Sequence, residues 1–187
     1  IYGEQDYYPA DENHPTNPVS PYGINKLVSE KYLHYYKTQY GINYVALRYA
    51  NVYGPRQNAH GEAGVVAVFA EKMLKNQQPV INGDGKQTRD YVYVDDVVEA
   101  NMLVTRHVLP VTIFNVGTGI ETDVNQIFTM LKELTHSKSS ELHGPAKSGE
   151  QARSVITSIR FKKEFNWLPK IQLIDGLKKT VDWFSKK

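Results

Sequence analysis

The sequence predicts an α/β fold built on a largely parallel sheet. Short runs of β-forming residues alternate with segments of helical periodicity along all 187 residues, which is typical of strand–helix–strand units. The run 44–49 is rich in β-branched and aromatic residues, as in strands buried within parallel sheets. A chain of this length forms about one domain.

The composition excludes several classes of protein. Hydrophobic residues make up 41% of the chain, enough to build a core, and the net charge of +2 is too small to indicate a nucleic-acid partner. The longest apolar run, 65–70, is far shorter than the roughly 18 residues that cross a bilayer, so no membrane partner is expected. The absence of cysteine excludes disulfides and thiolate sites and favours the cytoplasm. The six histidines show no metal-ligand spacing, so no metal is expected.

The N-terminal quarter predicts a loop followed by a long helix. Residues 1–19 carry three prolines among acidic and amide residues, which is typical of an irregular loop. Ser20 followed by Pro21 indicates a helix N-cap and first turn, and Gly41 indicates the helix end. Apolar residues on both sides of the helix 21–40 predict that it packs on a sheet and on a second helix or subunit.

The remaining elements follow from local signals of the same kind. Strands are expected at 44–49, 79–82, 90–94 and 112–116. Helices are expected at 65–76, from an Asp95 cap to about 107, from the capping box of Asp123 and Gln126, and along the apolar stripe Leu173, Leu177, Val181 and Phe184. Loops are expected at 51–64 and 137–149, and turns at 83–85 and 117–119. About four strands form an incomplete parallel sheet, so we expect this set to be the second half of a larger fold.

Tyr22 and Lys26 are the first candidates for chemistry. Their spacing places both side chains on one helix face. An adjacent ammonium and the positive end of the helix both favour a phenolate, so this tyrosine could take a proton from a substrate hydroxyl. The spacing alone is a weak signal, because about one such pair is expected by chance in this composition.

Five segments together give the chain a family resemblance. They are 1–4 (IYGE), 18–26 (PVSPYGINK), 47–56 (LRYANVYGPR), 83–96 (GDGKQTRDYVYVDD) and 114–119 (FNVGTG). In this order they resemble the extended short-chain dehydrogenase/reductase family, in its UDP-glucose 4-epimerase-like branch that modifies sugar nucleotides. The match runs along nearly the whole chain.

The resemblance implies a particular fold and domain organisation. It implies the C-terminal portion of a Rossmann-like doubly wound parallel sheet plus a smaller α/β substrate-binding domain. Residues 1–60 would be the truncated end of the NAD-binding domain, and 61–187 would bind the nucleotide sugar, with the strand 112–116 returning to the first sheet. The N-terminal half, with the glycine-rich cofactor loop and a Ser or Thr that binds the sugar hydroxyl, is expected to be missing, and the fragment alone is expected to be inactive.

The resemblance also implies an activity. It implies NAD-dependent epimerisation at C4 of a UDP-sugar of the UDP-glucose or UDP-galactose type, through transient oxidation to a 4-keto sugar. Tyr22 would be the acid/base, Lys26 would bind the nicotinamide ribose, and Tyr49 would lie close to the nicotinamide. The alternatives are a nucleotide-sugar 4,6-dehydratase, a UDP-glucuronate-modifying enzyme, or a non-catalytic sugar-nucleotide-binding fragment, because the residues that discriminate them precede Ile1.

Several further residues are implied to bind the UDP-sugar. Arg89 would hold the diphosphate, since a planar guanidinium can pair with two phosphate oxygens. The other expected ligand residues are Asn51, Gly64, Val65, Val80, Asn82, Lys147 and Glu150. Lys147 stands where the family usually has arginine and Thr157 where it commonly has aspartate, so the sequence departs from the family pattern at the nucleotide site.

Two remaining features have simpler interpretations. Asp95 and Asp96 are expected to cap a helix rather than to form a catalytic carboxylate pair. The 117–119 segment is expected to be a strand-to-helix turn rather than a phosphate-binding loop. The two-sided helix 21–40 and the family resemblance predict a homodimer.

Overall fold

The computed structural model describes residues 1–60, 63–107, 112–147 and 149–186. Helices in these ranges are α1 (Pro21–Tyr40), α2 (Val65–Leu74), α3 (Val94–Thr105), α4 (Val124–Thr135), α5 (Ile159–Phe165) and α6 (Leu173–Phe184). Strands are β1 (Val45–Tyr49), β2 (Asn51–Tyr53), β3 (Ile81–Asn82), β4 (Thr88–Tyr93), β5 (Thr112–Val116), β6 (Glu121–Asp123), β7 (His143–Gly144) and β8 (Arg153–Ser154). The predicted α/β class is confirmed.

The first sheet pairs β1 with β5. The two strands are parallel, with Val45 opposite Thr112 and Tyr49 opposite Val116. Phe114 of β5 contacts Phe161 of α5, with 5.3 Å between the ring centroids, and the rings lie in a buried cluster with Val92 and Trp167. Helices α3 and α5 therefore supply the apolar layer that covers this sheet.

The second sheet is centred on β4. Strands β2 and β8 run parallel to β4, and β6 runs antiparallel to it. The expected loop at 51–64 was wrong at its start, because residues 51–53 pair with Tyr91–Tyr93 as β2. Three residues carry too little local periodicity to be recognised as a strand, and their pairing is fixed by a partner about forty positions away.

The largest core lies among α2, α4 and α6. Phe69 of α2 meets Phe128 of α4 edge to face at 5.9 Å between ring centroids, and Leu177 of α6 is fully buried beside them. The predicted capping box is confirmed: the Gln126 N–H donates to Asp123 at 2.7 Å, and the Asp123 N–H donates back to Gln126 Oε1 at 3.1 Å. These caps and stripes are local, which explains why the sequence predicted them.

Helix α1 begins and ends where the sequence predicted, but more of its side chains are exposed than expected. Ser20 accepts a hydrogen bond from the Gly23 N–H at 3.1 Å, and Gly41 ends the helix in the left-handed conformation. The expected burial of two sides is not found within the described residues, where Gly23 is the buried position of this helix. The exposed aromatic side chains on it are Tyr22, Tyr32, Tyr35, Tyr36 and Tyr40.

Two expectations about polar segments were wrong in detail. Asp95 does not cap α3; it lies in the first turn, and the helix begins after Tyr93. Asp96 is buried and accepts hydrogen bonds from the Lys170 and Ile171 N–H groups at 3.0 and 3.2 Å. It therefore binds the segment that connects α5 and α6 to α3. Within 137–149, residues 143–144 form β7 against β3. Across the described ranges, no helix combines the length and apolarity needed to cross a bilayer.

Candidate active site

A cavity of about 860 Å³ lies between α1, β1 and the segment 149–156. Its volume falls in the range typical of small-ligand pockets. Seven of the predicted site residues line it: Tyr22, Lys26, Tyr49, Asn51, Gly64, Arg89 and Glu150. The fold thus brings together side chains that are up to 128 positions apart in the sequence, from Tyr22 to Glu150.

The Tyr22–Lys26 pair opens onto this cavity from the first two turns of α1. Lys26 Nζ lies 5.0 Å from the centroid of the Tyr22 ring, and the tyrosine is 64% exposed. Close packing under the turn fixes the helix start, because a Cβ at Gly23 would lie 3.0 Å from Pro18 Cβ. The phenol is therefore held beside an ammonium, near the N-terminus of a helix, and remains accessible to a ligand.

Tyr49 ends β1 and Asn51 begins β2, two positions further along the chain. The carboxyl end of β1 is the edge at which open α/β sheets bind ligands. The Tyr49 hydroxyl donates to Asn101 Oδ1 at 2.9 Å, which holds its ring at the cavity wall. Asn51 is exposed at the start of β2. The pair offers an aromatic face and an amide to whatever occupies the cavity.

Arg89 and Glu150 meet on another wall of the cavity. Arg89 Nη2 lies 3.3 Å from Glu150 Oε1, and Arg89 Nη1 donates to the Thr88 carbonyl at 2.8 Å. The side chains are 14% and 30% exposed, so the guanidinium is partly desolvated but reachable. A partly desolvated guanidinium is a strong site for a phosphate anion.

Four predicted ligand residues do not line the cavity: Val65, Val80, Asn82 and Lys147. Val65 begins α2 directly after Gly64. Val80 and Asn82 flank Ile81, where β3 pairs with β7. Lys147 is exposed and touches the site through its backbone, since its carbonyl accepts from the Glu150 N–H at 3.3 Å. Their roles in binding stay predictions.

Sequence reasoning missed a buried carboxylate in the lining of the cavity, that of Asp90. Asp90 accepts hydrogen bonds from the Thr118 N–H at 2.9 Å, the Thr118 hydroxyl at 2.5 Å and the Gly119 N–H at 3.0 Å. Burial raises the pKa of Asp90, and these donors oppose the shift. The 117–119 turn thus holds an internal carboxylate, and it leads into β6 before reaching a helix.

Replacing Asp90 by alanine is expected to lower the free energy of unfolding by about 2 kcal/mol, because three partly buried donors lose a charged acceptor. Chemical denaturation measures the change. Asp90→Asn is the matched control, since an amide oxygen can still accept from part of the turn and should cost clearly less. Equal, small losses for both variants would show that the turn does not depend on this carboxylate.

A second missed feature joins α1 to both strands of the first sheet. Arg48 of β1 donates to Glu30 through Nε and Nη2, each at 2.8 Å, and to the Tyr2 hydroxyl through Nη1 at 2.9 Å. The Tyr2 hydroxyl donates to Asn115 Oδ1 of β5 at 2.7 Å. Burial raises the pKa of Tyr2. Burial lowers the pKa of Arg48, but the hydrogen bonds and charge interactions of the guanidinium with Glu30 and Tyr2 together outweigh burial, so this pKa rises.

The described residues contain no group of three or more histidine, aspartate or glutamate side chains placed to hold a metal ion. The candidate chemistry therefore consists of a phenol beside an ammonium and a guanidinium beside a carboxylate, around one cavity. These groups lie beside the carboxyl end of β1, at the edge where open α/β sheets bind ligands.

Comparison with known proteins gives the family. Residues 1–117 match the model of the NAD dependent epimerase/dehydratase family. A putative UDP-glucose 4-epimerase of Methanocaldococcus jannaschii is 46% identical over 185 residues, which are 99% of this chain and 60% of that protein. The chain belongs to the NAD dependent epimerase/dehydratase family, as the resemblance in the sequence predicted.

Solved structures agree with the fold. The crystal structure of a UDP-glucose 4-epimerase from Thermotoga maritima, with UDP-glucose, superposes with a TM-score of 0.95 at 46% identity, covering 100% of this chain and 60% of that one. A UDP-glucose 4-epimerase from Thermus thermophilus, in complex with NAD, gives a TM-score of 0.89 at 39% identity, with 98% and 60% coverage. The chain thus spans about 60% of the length of these relatives, and NAD is the cofactor of its family.

The cavity residues fit one end of this cofactor. Tyr22 and Lys26 present a hydroxyl and an ammonium, which suit the hydroxyl groups of a ribose, and Tyr49 presents a ring to a planar heterocycle. The 187 residues contain no G-x-G-x-x-G motif for the pyrophosphate. The side chains of the cavity thus suit a ribose and a planar ring, and the 187 residues offer no glycine-rich loop for the pyrophosphate.

Proposed function

We propose that the protein containing this chain epimerises a UDP-sugar at C4, of the UDP-glucose or UDP-galactose type, with NAD as cofactor. The observation that carries the proposal is the accessible Tyr22–Lys26 pair on a cavity whose wall also carries Arg89. The family and its UDP-glucose 4-epimerase relatives support the same activity.

Tyr22 is the acid/base of the proposed reaction. Its phenolate oxygen takes the proton of the sugar 4-hydroxyl while C4 is oxidised to a 4-keto sugar, and it returns the proton after the ketone has turned in the site. Lys26 stabilises the phenolate and binds the nicotinamide ribose. When bound, NAD would supply the hydride acceptor and donor, and Tyr49 is the residue that would hold its nicotinamide.

The substrate is held mainly through its diphosphate. Arg89 pairs with the phosphate oxygens, because its guanidinium faces the cavity and is partly shielded from water. Asn51, Gly64 and Glu150 contact the rest of the sugar nucleotide. Val65 acts beside Gly64 at the start of α2, and Val80, Asn82 and Lys147 act near β3 and β7.

We further propose the division into an NAD-binding part, 1–60, and a substrate-binding part, 61–187. The parallel pairing of β1 with β5 supports the return of 112–116 to the first sheet. The glycine-rich loop would come from a preceding half of the complete protein, so residues 1–187 alone are inactive. The exposed tyrosines of α1 support a homodimer, which we place in the cytoplasm and in galactose metabolism.

The activity is tested with the complete protein and NAD. Incubation with UDP-galactose is expected to yield UDP-glucose, resolved by anion-exchange chromatography, at a rate typical of enzymes, about 1–10³ per second. UDP-glucuronate and dTDP-glucose are run in parallel. Conversion of dTDP-glucose to a 4-keto-6-deoxy sugar without C4 inversion of UDP-galactose would replace this proposal with a dehydratase.

A further inference from the structure

The Arg48–Glu30 ion pair lies next to the proposed catalytic pair, because Glu30 is one helical turn beyond Lys26 on α1. Tyr22, Lys26 and Glu30 are spaced four residues apart on α1, so their side chains follow one another along one helix face. Glu30 and Arg48 line the same cavity as Tyr22 and Lys26. Their side chains are only 11% and 8% exposed. A carboxylate thus lies one turn from Lys26, in a place where water screens it weakly.

An unpaired Glu30 would compete with Tyr22 for Lys26. Lysine and glutamate at i and i+4 attract each other even on exposed helices, and partial burial strengthens the attraction. In the structure both oxygens of Glu30 are taken by Arg48, through Nε and Nη2 at 2.8 Å each. Lys26 instead lies over the Tyr22 ring, 5.0 Å from its centroid.

The guanidinium is itself held from a second side. Its third nitrogen donates to the Tyr2 hydroxyl at 2.9 Å, and its carbon lies 4.9 Å from the Tyr2 ring centroid. Tyr2 is fastened to Asn115 of β5. Arg48 is therefore held in place from the side of Tyr2. Through Arg48 the Glu30 carboxylate is fixed against β1 and is not free to approach Lys26 along the helix.

We propose that Arg48 is a positioning residue: by engaging both oxygens of Glu30 it keeps that carboxylate from capturing Lys26, and so keeps the ammonium beside Tyr22. The proposal rests on the proposed role of Tyr22. It assigns a task to a residue pair to which the proposed mechanism gives no other role. The task depends on charge, since a neutral side chain at position 30 would remove the need for Arg48.

The first test measures Lys26 directly in the complete protein. Acylation by limiting acetic anhydride is followed by mass spectrometry, with exposed Lys178 as the internal reference. In Arg48→Met the Lys26 rate constant is expected to fall at least about threefold relative to Lys178, because a nearby carboxylate favours the ammonium and only the neutral amine is acylated. In the double variant Arg48→Met/Glu30→Gln it is expected to return to the parental value.

The outcomes separate the two proposals. An unchanged Lys26 rate in Arg48→Met, or a double variant as slow as the single one, overturns the role of Arg48. If Arg48→Met does not fold, Arg48→Gln keeps a donor to Glu30 without the charge; a slower Lys26 supports the proposal and a parental rate overturns it. None of these rates depends on turnover, so they stand even if Tyr22 proves not to be the base.

The pH profile supplies the second readout. If Lys26 is drawn away from Tyr22, the acid limb of kcat/KM for epimerisation is expected to move to higher pH in Arg48→Met and to return in the double variant. A purely structural role predicts another result: all variants would share the parental profile at reduced amplitude, and the double variant would be the weakest.

Discussion

Replacing Tyr22 by phenylalanine in the complete protein is expected to lower kcat for C4 epimerisation by about 10³-fold, within the range that general acid–base groups contribute. The substitution removes only the phenol oxygen that is proposed to accept the sugar proton. The ring remains under Lys26, and the diphosphate site at Arg89 is untouched. The Kd for UDP, measured by isothermal titration calorimetry, should therefore stay within about threefold of the parental value.

A matched control exists on the same helix. Tyr32 is similarly exposed and does not line the cavity. Tyr32→Phe should leave kcat and the Kd for UDP at parental values, which shows that losing a phenol from α1 has no general effect. Parental turnover in Tyr22→Phe would remove this residue from the proposed mechanism, whatever the result for Tyr32.

The second large effect concerns Arg89. Arg89→Met is expected to raise the Kd for UDP and the KM for UDP-galactose by about 10- to 100-fold, because a charge-assisted hydrogen bond contributes about 1.5–3 kcal/mol. Methionine keeps the length of the stem, so the wall of the cavity should persist. The change in kcat should be smaller than that in KM, since the guanidinium binds a group that does not react.

Two further variants test where the diphosphate of the ligand binds. Arg106→Met removes an exposed arginine outside the cavity and should leave the Kd unchanged. Lys147→Met tests the exposed lysine near β7 and is expected to raise the Kd less than Arg89→Met, because a solvated ammonium binds weakly. A large effect at Lys147 with none at Arg89 would place the phosphates at the β3–β7 edge instead.

Much of the fold could be predicted because its signals are local. Ser20, Pro21 and Gly41 set the ends of α1, and the Asp123–Gln126 box sets the start of α4. The strands β1 and β5 are long enough to show their β-forming composition. In each case the residues that decide the structure lie within one or two turns of it.

The missed elements are those fixed by distant partners. Strands β2, β6 and β8 are two or three residues long and exist because β4 pairs with them. Helix α5 has seven residues and no side-chain cap, and it is held by Phe161 in a buried aromatic cluster. Neither periodicity nor capping marks such elements in a single sequence.

The residues of the candidate site fall into the same two groups, those marked by local signals and those brought together by distant contacts. Tyr22 and Lys26 could be found from their spacing within one helix. The resemblance of their segment to a known family strengthened the prediction that they are functional. The contact of Arg89 with Glu150 spans 61 positions, and the hydrogen bond of Asp90 to Thr118 spans 28. The Arg48–Glu30 pair joins a strand to a helix that precedes it. Such contacts follow from the folded topology, which no local pattern encodes.

The most direct measurement is the crystal structure of the complete protein with NAD and a UDP-hexose. We expect the phenol oxygen of Tyr22 to lie about 2.6–3.2 Å from the oxygen of the sugar 4-hydroxyl, with the diphosphate on Arg89. A sugar whose 4-hydroxyl lies beyond hydrogen-bond reach of Tyr22, with another side chain in contact with it, would contradict the account.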